Sequence, residues 1–204
     1  MKTITNKEFI HDGKKCKIRY GDFWEETDLT TIKEVYNLLK LVNEINGNYD
    51  CRKWNIPEII SEGLTCMLFK WYRTNCSGSL IGISGSGDAL NIKEDGTGEI
   101  IQIKSYTKRK GGAGPTSFGP RSKYDKLIAL EVDLDTNLFS YYDLSNIDIS
   151  SINVSKTETV EDQSNSGKRP RFSIDTEIID KFGLKPFAIY NIEKEEFVFR
   201  DKSD

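Results

Sequence analysis

Residues 85–107 read GSGDALNIKEDGTGEIIQIKSYT, and this stretch predicts two β-strands joined by a tight turn. The turn is expected at residues 95–98, because an Asp-Gly pair is a strong hairpin signal and glycine adopts positive φ at little cost. The two strands are expected at residues 89–93 and 99–106.

Three polar side chains are expected on one face of the hairpin. Folding symmetrically about Gly96 places Asp88 opposite Lys104, and residues directly opposite each other in an antiparallel pair share a face. Gln102 joins them, because alternate residues of a strand project to the same side. A carboxylate, an amide oxygen and an ammonium on one surface can hold a hard cation and a water molecule. A register slip of one residue would scatter the group.

The overall composition is that of a soluble enzyme or binding module, with 37% hydrophobic and 30% charged residues. We expect one domain, because a chain of 204 residues is long enough for one well-formed core. No apolar run approaches the roughly 20 residues that span a bilayer, and no signal peptide is recognised. We therefore expect a cytoplasmic protein with no membrane partner.

The cysteine and histidine content excludes several kinds of chemistry. The four cysteines, at positions 16, 51, 66 and 76, form no Cys-x-x-Cys pair, so they are expected to be buried or half-buried free thiols. His11 is the only histidine, which excludes serine and cysteine triads and sites that need several imidazoles. Catalysis would have to rest on carboxylates, lysine and a metal ion.

The charge distribution favours an anionic partner more than the total charge does. A net charge of -3 argues against nucleic acid, because phosphate binding depends on clustered Lys and Arg. Residues 104–126, however, contain seven basic residues and the single acid Asp125, and a second basic patch comprises Lys168, Arg169 and Arg171.

Two helices and a hairpin are expected before the central hairpin. The hairpin spans residues 9–20, and the first helix spans residues 28–45, with Gly47 just past its end. We interpret the apolar stripe of this helix as core, with a subunit interface as the alternative; it comprises Ile32, Val35, Leu38, Leu39, Val42 and Ile45.

The second helix is expected over residues 55–73, with Asn55 and Glu58 forming a capping box. Glu62 falls beside its apolar stripe and should point partly inward. It lies on a solvated flank, or is an inward glutamate paired with a lysine, or is an extra acid at a metal site formed by the following hairpin.

After the central hairpin, the sequence predicts a glycine-rich loop over residues 108–120 and a long polar surface segment over residues 145–167, of the kind that orders on a partner. The remaining predicted elements are strands at 127–135 and 138–144, a short helix at 175–182, and strands at 187–192 and 196–200. Together these elements predict an α/β (α+β) fold with a mixed central sheet flanked by helices.

The Asp88 and Gln102-Ile-Lys104 pattern resembles the PD-(D/E)XK nuclease superfamily, in which an Asp ends one strand and an acid followed at two positions by Lys lies on the next. This chain has Gly87 in place of the Pro and Gln102 in place of the acid. A neutral amide ligates a cation without contributing charge, so another carboxylate is needed. Glu62 and Glu99 are the candidates.

Further blocks make the resemblance more specific. They are Asn55-Ile-Pro-Glu-Ile-Ile-Ser-Glu-Gly63, Ile101-Gln-Ile-Lys104, Thr116-Ser-Phe-Gly-Pro-Arg-Ser122 and Arg169-Pro-Arg-Phe-Ser-Ile174. In this order they resemble a small Type II restriction endonuclease family that recognises GCNGC-like sites. The resemblance implies a restriction-endonuclease-like core, cleavage of double-stranded DNA with Mg²⁺ or a substituting Mn²⁺, a 5′-phosphate product, a homodimer, and a DNA methyltransferase in the same system.

The resemblance also implies roles for individual residues. The catalytic residues would be Asp88, Gln102, Lys104 and Glu62. The metal ligands would be Asp88, Gln102, Ile103 and Glu62. The DNA-binding residues would be Lys108, Arg109, Lys110, Ser117, Arg121, Lys168, Arg169 and Arg171.

The corresponding organisation is one nuclease domain over residues 1–204. Residues 1–75 would hold the N-terminal hairpin and helices, residues 80–145 the catalytic hairpin and sheet, and residues 146–204 a DNA-contact segment with the C-terminal helix and hairpin. Two alternatives stay open: a non-catalytic, sequence-specific DNA-binding protein in which Gln102 marks a decayed site, and a structural domain whose basic loops face an acidic protein.

Overall fold

The computed structural model describes residues 5–74, 80–83, 87–109, 114–119 and 123–200. Its Cα positions divide into two compact units, residues 1–103 and 104–204. One strand, Gly98–Thr107, begins in the first unit and ends in the second. The assignment of the whole chain to a single nuclease domain stays a prediction.

The first unit is built around an antiparallel sheet that curls back on itself. Its strands pair in the order β1, β2, β3, β5 and β6, and β4 adds to β2. The N–H of Ile10 in β1 donates to the carbonyl of Gly96, 2.9 Å away in the turn before β6, and a parallel bridge joins Ile10 to Thr97. The bounds are β1 Thr5–His11, β2 Lys14–Phe23, β3 Tyr72–Thr74, β4 Leu80–Ile81, β5 Ala89–Ile92 and β6 Gly98–Thr107.

Both predicted hairpins of this unit are confirmed. β1 and β2 turn at Asp12 and Gly13, which both have positive φ, and Gly96 takes φ +81° between β5 and β6. The local turn chemistry was therefore enough to locate them.

Helix α1 (Leu29–Asn48) runs one turn further than the sequence predicted, and Gly47 lies inside it. Its buried face comprises Ile32, Tyr36, Leu39 and Asn43. The prediction that the whole apolar stripe is core is wrong for Leu38 and Ile45, which are 53% and 46% exposed, because burial follows one narrow face of the helix.

Helix α2 is shorter than predicted and begins with π-helical geometry. It consists of Ile59–Leu64, in the wide π form, followed directly by Thr65–Phe69. Asn55 does not cap it, because the residue before the first turn is Glu58. The helix ends at Lys70, whose φ of +58° stops helical propagation, so Arg73 belongs to β3 instead.

The second unit contains the end of β6, the other strands of the sheet and a separate ribbon. β8 pairs with β9, β9 with β11, and β11 with β12, all antiparallel. A second, two-stranded ribbon is formed by β7 and β10. The bounds are β7 Thr116–Ser117, β8 Lys126–Asp133, β9 Leu138–Asp143, β10 Arg171–Phe172, β11 Ala188–Asn191 and β12 Glu196–Phe199.

Two connecting segments in this unit contain more regular structure than the sequence predicted. The glycine-rich loop contains the short strand β7, and the polar segment 145–167 is folded on the chain itself. There helix α3 (Val160–Asn165) begins with a capping box between Thr159 and Asp162, and Val160 is buried with the core of the unit. The apolar residues that pack this segment against the core, Ile152 and Val160, are isolated in the sequence, so no periodic pattern indicated them.

The predicted final helix and strands are confirmed, with helix α4 at Asp175–Asp180. The α/β fold class, a mixed sheet flanked by a few helices, is also confirmed. Cys16 and Cys66 are buried free thiols as predicted, whereas Cys51 is exposed, and Cys76 lies outside the described residues. No helix within the described ranges is long and apolar enough to cross a membrane.

Candidate active site

The backbone at Gly87 and Asp88 is held tightly between two strands. The N–H of Asp88 donates to Ile101 O at 2.8 Å, and the N–H of Thr74 donates to Asp88 O at 3.0 Å. A Cβ atom at residue 87 would lie 2.5 Å from Ile100 Cγ2 and 2.7 Å from Ile101 O. Only glycine fits at this position, which explains why the chain departs from the proline of the resembled pattern.

The register of the central hairpin differs by two residues from the symmetric one. Ala89 pairs with Ile101 and Ile92 with Gly98, so Asp88 falls opposite Gln102 and not opposite Lys104. Because side chains alternate with a period of two, a shift of two residues leaves each of them on its expected face. Asp88 and Gln102 therefore share a face despite the error in register, and their side chains form a hydrogen bond.

The Asp88 carboxylate is fixed by the strand that faces it. Ile103 N–H donates to Asp88 Oδ2 at 2.8 Å, and the Gln102 side-chain amide donates to the same oxygen. Gln102 is 7% exposed and the Ile103 side chain is buried. Gln102 thus orients Asp88 through its N–H group, and any metal role of Ile103 would rest on its backbone carbonyl.

Glu62 of α2 points inward, as the sequence predicted, and is paired with an arginine. Arg73 Nε lies 2.8 Å from Glu62 Oε2, and its Nη2 lies 2.9 Å from Glu58 Oε2. The Glu62 and Arg73 side chains are 16% and 15% exposed. These ion pairs join α2 to β3, the strand whose residue Thr74 donates its N–H to the carbonyl of Asp88 just before β5.

Glu62 also senses the charge of Asp88. Burial, followed by the negative charge of Asp88, raises the pKa of Glu62 to about 7, although Arg73 opposes the shift. The charge of Asp88 therefore disfavours ionisation of Glu62. A cation between them would remove this penalty.

Glu99, the other candidate for the missing charge, is directed elsewhere. It lies opposite Asn91, three residues along β5 from Asp88. By strand alternation it projects from the opposite face of β6 to Gln102. Its carboxylate is 3.5 Å from Asn91 Nδ2 and 3.9 Å from Lys93 Nζ. Of the two glutamates, Glu62 is therefore the candidate partner of Asp88.

The donor types suit a hard divalent cation, although the cluster is small. Asp88 and Glu62 offer carboxylate oxygens and Gln102 an amide oxygen, which are the ligands that Mg²⁺ accepts. In the described part of the chain, no three Asp, Glu, His or Cys side chains are grouped closely enough to hold an ion. Water and phosphate oxygens would have to complete the coordination, as is usual for Mg²⁺.

Lys104 follows Gln102 by two residues on β6 and so leaves the strand from the same face. Within the second unit its Nζ atom lies 5.6 Å from the centre of the Phe118 ring, which is within cation–π range. Phe118 in turn stacks on Phe172, with ring centres 4.7 Å apart and planes at 3°.

The β7–β10 ribbon brings together two blocks that are distant in sequence. Ser117 lies directly opposite Arg171, and the N–H of Phe118 donates to Pro170 O at 3.0 Å. Phe118, Pro170 and Phe172 are buried, whereas Arg169 and Arg171 are exposed. The ribbon thus has an apolar inner face and a basic outer face.

Comparison with known proteins identifies the family. Residues 24–181 match the Bsp6I restriction endonuclease family. The chain belongs to this family. It is 31% identical to the Type II restriction enzyme Bsp6I of Bacillus sp. (strain RFL6) over 167 residues, which cover 81% of this chain and 88% of that enzyme. The predicted enzyme class, a restriction endonuclease acting on DNA, is confirmed, and the α/β fold is consistent with it.

The other basic residues that the sequence predicts to bind DNA differ in whether a carboxylate already pairs with them in this Bsp6I-family chain. Lys108 Nζ lies 3.5 Å from Glu131 and 3.8 Å from Asp133, and Lys168 Nζ lies 2.8 Å from Glu158. Arg109 is exposed. Lys110 and Arg121 lie outside the described residues.

Sequence reasoning missed three residues that shape this Bsp6I-family site. Arg73 was placed in a helix, so its pairing with Glu62 was not foreseen. Thr74 fixes the backbone at Asp88, and its hydroxyl donates to Gly87 O. Nothing in the sequence marked Phe118, except that it lies within residues 116–122, one of the segments that resemble the restriction endonuclease family.

Proposed function

We propose that this protein is a Type II site-specific deoxyribonuclease that hydrolyses both DNA strands at a short G·C-rich, near-palindromic site of the GCNGC or GCWGC type. The observation that carries the proposal is the Asp88 carboxylate, which is fixed by Ile103 N–H at 2.8 Å and shares an electrostatic environment with Glu62. The Asp88 and Gln102-Ile-Lys104 pattern resembles that of the PD-(D/E)XK superfamily. Membership of the Bsp6I family supports the same chemistry.

Each residue of the proposed active site has a distinct role. Mg²⁺, or Mn²⁺ in its place, supplies Lewis-acid polarisation of the scissile phosphate and a water of lowered pKa. Asp88 and Glu62 would hold the ion, with oxygen atoms of Gln102 and Ile103 as further ligands. Gln102 also keeps the Asp88 carboxylate in one orientation. Lys104 supplies a positive charge that orients the attacking water and balances charge developing on the phosphate.

The β7–β10 ribbon is the proposed base-reading element. A two-stranded ribbon fits the major groove of DNA, and arginine contacts guanine O6 and N7 with two hydrogen bonds. Arg169, Arg171 and Ser117 occupy its outer face and would read the G·C pairs. The proposed phosphate contacts are Lys108, Arg109, Lys110, Arg121 and Lys168. Of these, Lys108 and Lys168 must exchange acidic partners for DNA.

A cleavage assay tests the catalytic assignment. Purified protein is incubated with plasmid DNA and Mg²⁺, and we expect discrete fragments from wild type and none from Asp88→Ala or Lys104→Ala. Lys93→Ala is the matched control: Lys93 is an exposed lysine on the same hairpin, near Glu99, and its loss should leave cleavage intact. Equal cutting by Lys104→Ala would remove the proposed role of that residue.

The same assay separates the alternatives. Specific binding with no cleavage across Mg²⁺ and Mn²⁺ titrations would support a DNA-binding protein with a decayed site. Negligible affinity for DNA at low salt would instead indicate a protein-interaction domain. Sequencing the fragment ends from substrates carrying each central base identifies the site and the overhang.

Two further parts of the proposal concern a homodimer and a DNA methyltransferase. A homodimer would present one Asp88–Glu62 pair to each strand of a near-palindromic site, in keeping with the symmetry of the DNA. A DNA methyltransferase of the same system would protect the host site. Sedimentation of the protein with and without a site-bearing duplex tests the first, and resistance of host DNA to cleavage tests the second. A cytoplasmic location also stays a prediction.

A further inference from the structure

The segment between α1 and α2 forms an exposed surface that has no role in the site described above. Arg52, Lys53, Trp54 and Asn55 line an open groove in the first unit. We call residues 52–54 the basic-aromatic segment. It leads within five residues into α2, the helix that carries Glu62.

Trp54 stands out among the tryptophans of the chain. Its side chain is 52% exposed, whereas Trp24 and Trp71 are 8% and 7% exposed. Exposing a large aromatic ring forgoes its burial energy, so a fixed and exposed tryptophan next to cations is typical of a contact surface.

The backbone of the segment is tied to α1 by two asparagines. Asn43, which is 3% exposed, accepts a hydrogen bond from Trp54 N–H at 2.6 Å, and its Nδ2 donates to Trp54 O at 3.5 Å. Asn46 Nδ2 donates to Arg52 O at 2.9 Å. The segment is thus anchored at both ends, and a partner would find it preorganised.

The two cations of the segment keep their charge available. Arg52 and Lys53 are exposed, and neither forms an ion pair with any residue in the described ranges. Lys108 and Lys168, by contrast, are held by carboxylates. An unpaired cation binds a phosphate without first giving up a protein partner.

We propose that the basic-aromatic segment binds the sugar–phosphate backbone of the DNA substrate, with Arg52 and Lys53 on phosphates and the Trp54 ring packed against a deoxyribose. Such contacts position a duplex and carry no sequence information. The segment would thereby anchor the backbone next to the helix that supplies Glu62. This inference rests on the proposed function, because it takes duplex DNA as the partner.

Tryptophan fluorescence tests the contact directly. Emission is recorded while a duplex is added in Ca²⁺ without Mg²⁺, so that the DNA is not cut. Because Trp24 and Trp71 are buried, we expect quenching that arises from Trp54. It should occur with site-bearing and unrelated duplexes alike and disappear in Trp54→Phe. Unchanged emission while DNA binds would overturn the inference.

Salt dependence gives a second and independent readout. Arg52→Ala and Lys53→Ala should each reduce the slope of log affinity against log salt by about 0.9, the value for one lost phosphate contact. The loss should be equal for site-bearing and unrelated DNA. Lys14→Ala is the matched control, because Lys14 is an exposed lysine of the same unit at the start of β2.

The outcomes also separate this inference from the function on which it rests. Wild-type protein that cleaves DNA, with slopes unchanged in both variants, would overturn the inference and leave the nuclease intact. Wild-type protein with no DNA affinity at low salt would overturn both. Circular dichroism of each variant verifies that the fold is retained.

Discussion

Gly87 controls the position of the principal carboxylate, because the strands on either side leave no room for a side chain. Replacing it with alanine forces a Cβ against Ile101 O, which is backbone and cannot move aside easily. We expect Gly87→Ala to lower the free energy of unfolding by about 1–3 kcal/mol, the usual cost of overpacking. Urea denaturation measures the change.

The control for this change is Gly114→Ala, since a Cβ at Gly114 meets no atom within 4 Å. Its stability should be equal to that of wild type or slightly higher, because alanine restricts the unfolded chain more than glycine does. Equal stability of the two variants would show that the space at residue 87 is not limiting.

Glu62 makes stability depend on pH in the metal-free protein. Its pKa is raised from 4.5 to about 7, so between these values the folded chain keeps a proton that the unfolded chain has lost. Stability from this group is therefore highest below pH 4.5 and falls as pH rises through 7. From pH 5 to 8 we expect wild type to lose about 1–3 kcal/mol relative to Glu62→Gln.

Urea denaturation at several pH values, with a chelator present, checks this prediction. Glutamine is the suitable comparison because it keeps the shape of the side chain and does not titrate. Parallel stability curves for the two proteins would contradict the raised pKa. Added Mg²⁺ should stabilise wild type more than the variant at pH 8, because the ion favours the ionised carboxylate.

The β7–β10 ribbon is the element that connects proposed DNA contacts to Lys104. Its inner residue Phe118 holds the Lys104 ammonium by cation–π attraction and adds no negative charge to the site. Phe118→Leu removes the ring but keeps an apolar side chain. We expect the single-turnover cleavage rate to fall about three- to thirtyfold, with affinity for site-bearing DNA in Ca²⁺ unchanged.

Two variants distinguish this positioning role from a general packing defect. Phe118→Tyr keeps a ring and should recover most of the rate. Phe139→Leu makes the same substitution at a fully buried residue of β9 and should lower stability without changing the rate. Loss of DNA affinity in Phe118→Leu, with no recovery by tyrosine, would assign Phe118 to the fold alone.

Helix boundaries show where sequence patterns stop being sufficient. The hairpin turns were located correctly because the preference of an Asp-Gly pair for a tight turn is a local property. The end of α2 was not, because Lys70 adopts positive φ without being glycine or asparagine. Arg73 was consequently assigned to the wrong element, and its pairing with Glu62 could not be anticipated.

Cleavage of both strands is a property of the whole molecule. Each chain has one Asp88–Glu62 pair, so the proposed homodimer would bring two active sites to the DNA. We expect dimers with one wild-type and one Asp88→Ala chain to nick supercoiled plasmid and release an open circle. Wild-type dimers should produce linear DNA.

Such mixed dimers are obtained by co-expression with two different tags and purification on both. Agarose gels separate nicked from linear product, and Asp88→Ala alone provides the blank. Failure to isolate any doubly tagged protein, or linear product formed at half the wild-type rate, would contradict paired active sites in one dimer.

The sequence by itself determined the hairpins, the fold class and the grouping of Asp88 with Gln102, because turn chemistry and strand alternation act over a few residues. Only the tertiary structure decided that Glu62 pairs with Arg73, and that Ser117 lies opposite Arg171. These contacts join segments far apart in the chain. They depend on how whole elements pack, which no local pattern records.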